Sequence, residues 1–274
     1  MVDLAAVKQL ALGPNGKSLL LSLDELNKTP LLLAISLDNE TIVVEILKAY
    51  VVQGIDINAR DKDGNTCLHH AVQNCTANTI MPLLQLKYLN VGLVNLHKNT
   101  ALHYFCQKYT SDNAQDILKL LIERGSEVNA LNSFGETALH SAILNRSQTA
   151  MMIISKIILQ SWCDVNTANR NGETALHFAV RRGVEQLVSL LMQYGADPTL
   201  QTKSGVSAFM MAGHSPRMIQ ILEGKLNVPD QFKPVVPPRP SSGSFQSWAK
   251  LGPGNYIDGS SRRNIVIIII RYDH

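Results

Sequence analysis

The sequence predicts an all-α solenoid of about six helix-turn-helix repeats joined by β-hairpin turns, then a Pro-rich, mostly disordered C-terminal tail. Three observations carry that expectation. The phrase Asn171-Gly172-Glu173-Thr174-Ala175-Leu176-His177-Phe178-Ala179 returns as Gly135-Glu136-Thr137-Ala138-Leu139-His140-Ser141-Ala142 and as Gly64-Asn65-Thr66-Cys67-Leu68-His69-His70-Ala71. A shorter copy lies at Thr100-Ala101-Leu102-His103, and degenerate copies open at Thr29-Pro30-Leu31 and Ser207-Ala208-Phe209. Second, the Thr/Ser positions 29, 66, 100, 137, 174 and 207 step by 33 to 37 residues, a period that means stacked supersecondary units. Third, composition shifts after residue 228 to Pro229, Pro234, Pro237, Pro238 and Pro240 followed by Ser241-Ser242-Gly243-Ser244, which precludes a helix and reads as a linker.

The elements follow in order. Residues 3–12 have helical spacing of apolar positions and stop at Gly13-Pro14, so residues 1–24 read as a capping helix or partial repeat. Gly13-Pro14-Asn15-Gly16-Lys17-Ser18 tempts a phosphate-loop reading, but the required first glycine falls on Ala11 and no buried strand precedes it. A Gly/Pro turn between helices is the better account. Residues 25–228 form the array, and its fifth unit shows the plan. Thr174 caps a short inner helix that opens with Ala175 and Leu176. Arg181-Arg182-Gly183 breaks it. Val184 to Tyr194 then forms an outer helix with Val184, Leu187, Val188, Leu190 and Leu191 as its apolar stripe. Gly195 ends that helix as a left-handed cap, and a hairpin runs from Asp197-Pro198 to Gly205. Residues 229–274 are linker and tail, and Trp248 to His274 is too short to build a core of its own.

Composition narrows the function classes. Net charge is +3, and of 25 Lys and Arg against 22 Asp and Glu, six and three fall in residues 229–274, so the first 228 residues are balanced. A neutral body gives no nucleic-acid footprint. Cys67, Cys75, Cys106 and Cys163 show no paired spacing, which argues against a disulfide framework or a zinc site. Free thiols without an evident secretory signal fit a reducing, intracellular compartment, cytoplasmic with the nucleus not excluded. The longest aliphatic run, Ile265 to Ile270, is six residues against about 20 needed to span a bilayer.

On the T-x-L-H-x-A phrases, and on the closing phrases Gly54-Ile55-Asp56-Ile57-Asn58-Ala59, Gly125-Ser126-Glu127-Val128-Asn129-Ala130, Asp164-Val165-Asn166 and Gly195-Ala196-Asp197-Pro198, the chain resembles the ankyrin-repeat proteins over about residues 20–225. The resemblance implies a β-turn and two antiparallel helices per repeat, stacked into a curved solenoid. It implies binding of other proteins without chemistry or cofactor. Departures carry their own expectations. The hairpin between Val94 and Thr100 is three residues shorter than that between Ile57 and Thr66 and lacks glycine, so a stunted finger is expected there. The 37-residue repeats carry extra length near Tyr50-Val51-Val52, Tyr109 to Asp112 and Ile157 to Trp162, as longer loops or longer helices.

No catalytic constellation is present: no G-x-S-x-G, no H-E-x-x-H and no kinase signature set. His69, His103, His140 and His177 recur one per repeat, about 10 Å apart, so each is expected to bond its own hairpin and the next rather than share a metal. The resemblance places partner contacts on hairpin tips and exposed inner-helix positions: Lys62, Asp63, Asn65, Gln73, Asn74, Phe134, Glu136, Asn145, Arg170, Asn171, Glu173, Arg181, Arg182, Lys203 and Ser204. Clustering of Arg170, Arg181, Arg182 and Lys203 suggests an acidic partner surface. Pro234-Val235-Val236-Pro237-Pro238-Arg239 fits PxxPxR, a polyproline ligand for Src-homology-3 domains anchored by Pro234, Pro237 and Arg239. Two readings result: an adaptor that binds proteins, or the N-terminal regulatory or targeting part of a larger signalling enzyme.

Overall fold

The computed structural model describes residues 13–226 apart from 38, 75, 76, 111, 112 and 214. The helix expected over 3–12 and the tail over 229–274 lie outside the described residues. A turn closed by the Gly16 N–H on the Gly13 carbonyl (2.9 Å) leads into α1 (Gly16–Leu20). Six antiparallel pairs follow: α2 (Pro30–Ser36) with α3 (Glu40–Gln53), α4 (Cys67–Asn74) with α5 (Ala77–Gln85), and α6 (Ala101–Lys108) with α7 (Ala114–Glu123). The last three are α8 (Ala138–Ile143) with α9 (Gln148–Gln160), α10 (Ala175–Arg181) with α11 (Glu185–Gln193), and α12 (Ala208–Ala212) with α13 (Pro216–Leu222).

The first member of each pair is the inner helix, and each inner helix packs on the next. That close stacking needs small side chains, and Ala34, Ala71, Ala142, Ala179 and Ala212 supply them five residues after each cap, all buried. In α6 Phe105 takes this place, stacked on Tyr109 at 4.5 Å. This is also the repeat whose extra length falls in the link between helices, between Lys108 and Ala114. Elsewhere the extra length extends the outer helix: α3 and α9 have 14 and 13 residues, against 9, 10 and 9 in α5, α7 and α11. One apolar strip runs the length of the stack, from Leu20 to Leu222. A lone repeat could not bury its face, so stability is shared between neighbours. At the N-terminal end the Tyr50 hydroxyl donates to the Leu20 carbonyl (2.8 Å) and pins α1 to α3.

Among the described residues six hairpin fingers project from the stack, at 24–28, 61–65, 95–99, 132–136, 169–173 and 202–206. In each, the first N–H donates to the carbonyl of the fifth residue: Asp24 to Lys28 at 3.1 Å, Asp61 to Asn65 at 2.9 Å, Asn95 to Asn99 at 3.0 Å, Asn132 to Glu136 at 3.0 Å, Asn169 to Glu173 and Thr202 to Val206 at 2.9 Å. The expected stunted finger is therefore corrected: the 95–99 finger is full-sized. The misreading came from matching Val94 to Ile57. Buried Val91 is the true equivalent, nine residues before Thr100 as Ile57 is nine before Thr66.

In place of glycine that finger uses Lys98 at φ +57°, where Gly64, Gly135, Gly172 and Gly205 lie at φ +75° to +78°. A side chain in the left-handed region costs about 1–2 kcal/mol. Lys98 is exposed, so little packing offsets that cost. Lys98→Gly is expected to stabilise the chain by about 0.5–1 kcal/mol, read as a rise in the urea midpoint; an unchanged or lower midpoint contradicts the assigned strain.

Candidate functional site

The fingers are self-bracing. In all but the last, where Thr202 Oγ1 accepts only from Val206 (3.2 Å), the first side chain accepts backbone N–H groups two and four residues on: Asp24 Oδ1 from Leu26 and Lys28 (2.9 and 2.7 Å), Asp61 Oδ1 from Asp63 and Asn65 (3.0 and 2.8 Å), Asn95 Oδ1 from His97 and Asn99 (both 3.0 Å). Asn132 takes Phe134 and Glu136 (2.8 and 3.0 Å), and Asn169 takes Asn171 and Glu173 (2.9 and 3.0 Å). Neighbouring fingers are then tied in series. The second N–H of each donates to the third carbonyl of the finger before it: Lys62 to Leu26 (3.1 Å), Leu96 to Asp63 (3.0 Å), Ser133 to His97 (2.8 Å), Arg170 to Phe134 (2.8 Å) and Lys203 to Asn171 (2.9 Å). Backbone polar groups are thereby satisfied within the ridge, which leaves the tip side chains available to a partner.

The histidine row belongs to the scaffold. Nδ1 of His69, His103, His140 and His177 accepts its own cap's N–H, from Thr66, Thr100, Thr137 and Thr174 at 3.1 to 3.2 Å. Each Thr hydroxyl lies within 2.9 Å of the same nitrogen. An Nδ1 that accepts must be unprotonated, so the proton sits on Nε2. Nε2 reaches the next finger's carbonyl at Asn99, Glu136, Glu173 and Val206, at 3.0 to 3.2 Å. Burial lowers the His69 and His140 pKa to about 4 and depresses His103 as well. The adjacent His70 turns away to Asp61 Oδ2 (2.7 Å). Among the described residues no three His, Cys, Asp or Glu side chains gather as a metal site requires. Cys67, Cys106 and Cys163 are free, and burial pushes the Cys67 and Cys163 thiols up to about 12 and Cys106 further. Those thiols are poor nucleophiles. Cys75 lies outside the described residues.

The structure divides the expected contact residues by what their polar atoms already hold. Lys62, Asp63, Phe134, Arg170, Asn171, Lys203 and Ser204 are exposed at finger tips. Gln73, Glu136 and Glu173 are half-buried. Glu173 is bound to Arg181 Nη1 (2.5 Å), and Arg181 lies over the Phe178 ring at 4.8 Å.

Two positions are corrected outright. Asn65 is buried and its Oδ1 accepts from Asn95 Nδ2 (2.9 Å). Asn145 is 0% exposed, its amide donating to the Cys106 and Tyr109 carbonyls at 3.0 and 2.9 Å. Asn74 and Arg182 share that role, although exposed at their edges: Asn74 Nδ2 donates to the Ile35 carbonyl (2.6 Å), and Arg182 Nη1 to those of Ile143 and Asn145. All three stand eight residues after a cap and satisfy carbonyls at the end of the preceding inner helix. Leu96, 71% exposed, and Lys98 also stand on the ridge. Sequence reasoning missed them because their finger was misaligned; the pair Asn95 and Asn99, spaced as Asp61 and Asn65 are, was the available signal. Pro234, Pro237 and Arg239 lie outside the described residues.

Fold and ridge together define a class: a repeat solenoid whose satisfied backbone holds out a row of exposed side chains. The chain belongs to the ankyrin-repeat family, whose family model matches residues 3–93, 77–156 and 151–228. Among curated proteins it is 42% identical over 131 residues to a probable serine/threonine-protein kinase of Dictyostelium discoideum, covering 47% of this chain and 15% of that one. It is 41% identical over 97 residues to the ankyrin repeat-containing protein kinase A of the same organism, covering 35% of this chain and 7% of the kinase. The chain thus matches under a fifth of these relatives' length. Among solved structures, a chain in the complex of a predatory endopeptidase from Bdellovibrio bacteriovorus with an immunity protein superposes with TM-score 0.56 at 27% identity, covering 75% of this chain and all of that one. Among the described residues no helix is long and apolar enough to cross a membrane.

Proposed function

We propose that the array is an intracellular adaptor that holds a partner protein across its finger tips and the adjoining inner helices. The observation that carries this reading is the contrast between a backbone satisfied within the stack and exposed tips that bear large apolar and charged side chains. Burying Leu96 or Phe134 against a partner contributes about 2 kcal/mol each, while an exposed ion pair adds about 0.5 kcal/mol. A few tip residues therefore suffice for a useful affinity, and no chemistry is required of them.

The test obstructs the ridge without changing its charge. The full chain and its Asn171→Trp/Ser204→Trp variant are immobilised in parallel, and retained proteins are compared by mass spectrometry. A partner lost about tenfold on the variant, with unchanged circular dichroism, is the expected result; a partner held equally by both overturns the use of this surface. Pro234, Pro237 and Arg239 would give a Src-homology-3 domain a separate handle, a proposal resting on the PxxPxR spacing alone.

A second reading is favoured by the relatives, which are protein kinases many times longer than the matched segment. In it the array is the regulatory or targeting part of a signalling enzyme. Immunoblotting with an antiserum to the array separates the two: a species near 30 kDa supports the free adaptor, and only a much larger one supports the enzyme.

A further inference from the structure

The ridge has a chemical order. Its middle is apolar: Leu96 and Phe134, 71% and 62% exposed, occupy adjacent fingers joined by the Ser133–His97 bond. Cations stand on either side, Lys62 on the finger before and Arg170 and Lys203 on the two after, with Lys98 on the Leu96 finger itself, all exposed. Among the described residues no carboxylate pairs with any of these four. The acids of the fingers are mostly engaged inward. Asp61 holds His70, Glu173 holds Arg181, and Glu136 takes the Asn132 amide at 3.3 Å. The exposed tip carboxylates among the described fingers are Glu25 and Asp63, both on the two N-terminal fingers. The charge cluster expected from the sequence is thereby redrawn: Arg181 and Arg182 are held by the scaffold, and Lys62 and Lys98 extend the basic character as far as the 61–65 finger.

We propose that the ridge binds an acidic protein segment that carries one or two apolar side chains at its middle, flanked by carboxylates. This rests on the reading of the array as a protein-binding surface and specifies its ligand. The five fingers from 61–65 to 202–206, about 10 Å apart, span about 40 Å, the reach of about twelve extended residues. Carboxylates on one arm meet Lys62, and Lys98 on the Leu96 finger; those on the other meet Arg170 and Lys203. The apolar middle covers Leu96 and Phe134, which no water-facing role explains. A nucleic acid is the poorer match: a phosphate chain would carry its charge over the apolar middle and past Asp63, and the array as a whole is electrically balanced.

The test uses the full chain and labelled peptides of about fourteen residues, read by fluorescence anisotropy at low and physiological salt. One peptide has glutamates flanking a central Leu-Leu pair. In the others glutamine replaces glutamate, or serine replaces leucine; a short oligothymidine is the fourth probe. The Glu/Leu peptide is expected to bind about tenfold tighter than every other probe and to weaken with salt. Arg170→Glu/Lys203→Glu should weaken it about tenfold and reduce the salt dependence. Phe134→Ser should weaken it about tenfold while leaving the serine peptide unaffected. Equal binding of the glutamine peptide, tighter binding of the oligonucleotide, indifference to both variants, or no binding below about 1 mM each overturns the proposal. If the tip-obstructing variant still loses a captured partner while the Glu/Leu peptide fails to bind, the ligand chemistry falls and the adaptor reading stands.

Discussion

Acidification should strip stability from this chain between about pH 6.5 and pH 4, while the same protein is indifferent to pH just above 7. The imidazoles of His69 and His140 are buried with a pKa lowered to about 4, against 6.5 for a free histidine, and His103 is shifted the same way. Desolvation is the leading cause, and the geometry agrees with it. A proton added at Nδ1 would face the N–H and hydroxyl of the capping threonine, which already point at that atom. Above pH 6.5 folded and unfolded chains are both neutral at these sites, so they contribute no slope. Below it the unfolded chain takes up protons that the folded chain refuses. Stability then falls by about 1.4 kcal/mol per pH unit for each such histidine until the folded value is reached.

Two carboxylates extend the loss to lower pH. Burial pushes Asp61 up, but the His70 imidazole and the Asn65 N–H outweigh it; Glu173 is likewise raised by burial yet lowered overall by Arg181 and Asn169. Both end below their ordinary values, so their stabilising share is present at neutral pH and lost as the solution becomes more acid. Urea midpoints at half-unit steps from pH 7.5 to about 4 would show the predicted decline. His140→Gln should be less stable at pH 7 and also less pH-dependent, having one site fewer. A flat profile between pH 7 and 5 rules the account out.

The second large effect separates two glycines with the same backbone. Gly172 and Gly205 both sit at φ +77° in equivalent fingers. A Cβ at 205 meets nothing within 4 Å, whereas at 172 it would lie 2.8 Å from the Lys203 nitrogen and 3.1 Å from two backbone carbons of Thr202. Those atoms cannot retreat, because the Lys203 N–H is bonded to the Asn171 carbonyl at 2.9 Å. Gly205→Ala should cost only the left-handed strain, about 1 kcal/mol. Gly172→Ala adds an overpacking cost of about 1–3 kcal/mol and loosens the 202–206 finger from the 169–173 finger. Because the units are coupled only to neighbours, the last repeat is expected to unfold ahead of the rest, giving a broadened transition. Equal losses at the two sites would falsify the inter-finger clash.

The tip substitutions are milder by design, since they alter what the ridge touches without touching what holds it. Their yield depends on which residues are truly free, and here sequence and structure part company. The cap at Thr174, repeated in phase at Thr100 and Thr137, and the shared role of the histidines were readable. Each is local: a cap and its histidine lie three residues apart, and the 3.6-residue period of the outer helix is written in consecutive letters. The 95–99 finger was misread, because Lys98 in a left-handed conformation leaves no glycine to mark the turn and only the Asn95–Asn99 spacing signals it. The fate of Asn65, Asn74, Asn145 and Arg182 was not legible. They are polar letters in positions where polar letters usually face water.

What the chain's letters determined alone is therefore the class: a stack of capped helix pairs with a period of 33 to 37 residues. What only the tertiary structure decided is which side chains remain for a partner. Asn145 and Arg182 find their carbonyl acceptors 36 to 39 residues back, on the preceding repeat. The donor's place is the same each time, eight residues after a cap, but its acceptor lies on another repeat, so only stacking brings the two together. A polar side chain is spent wherever a neighbour's unsatisfied helix end comes within reach, and reach is settled by packing.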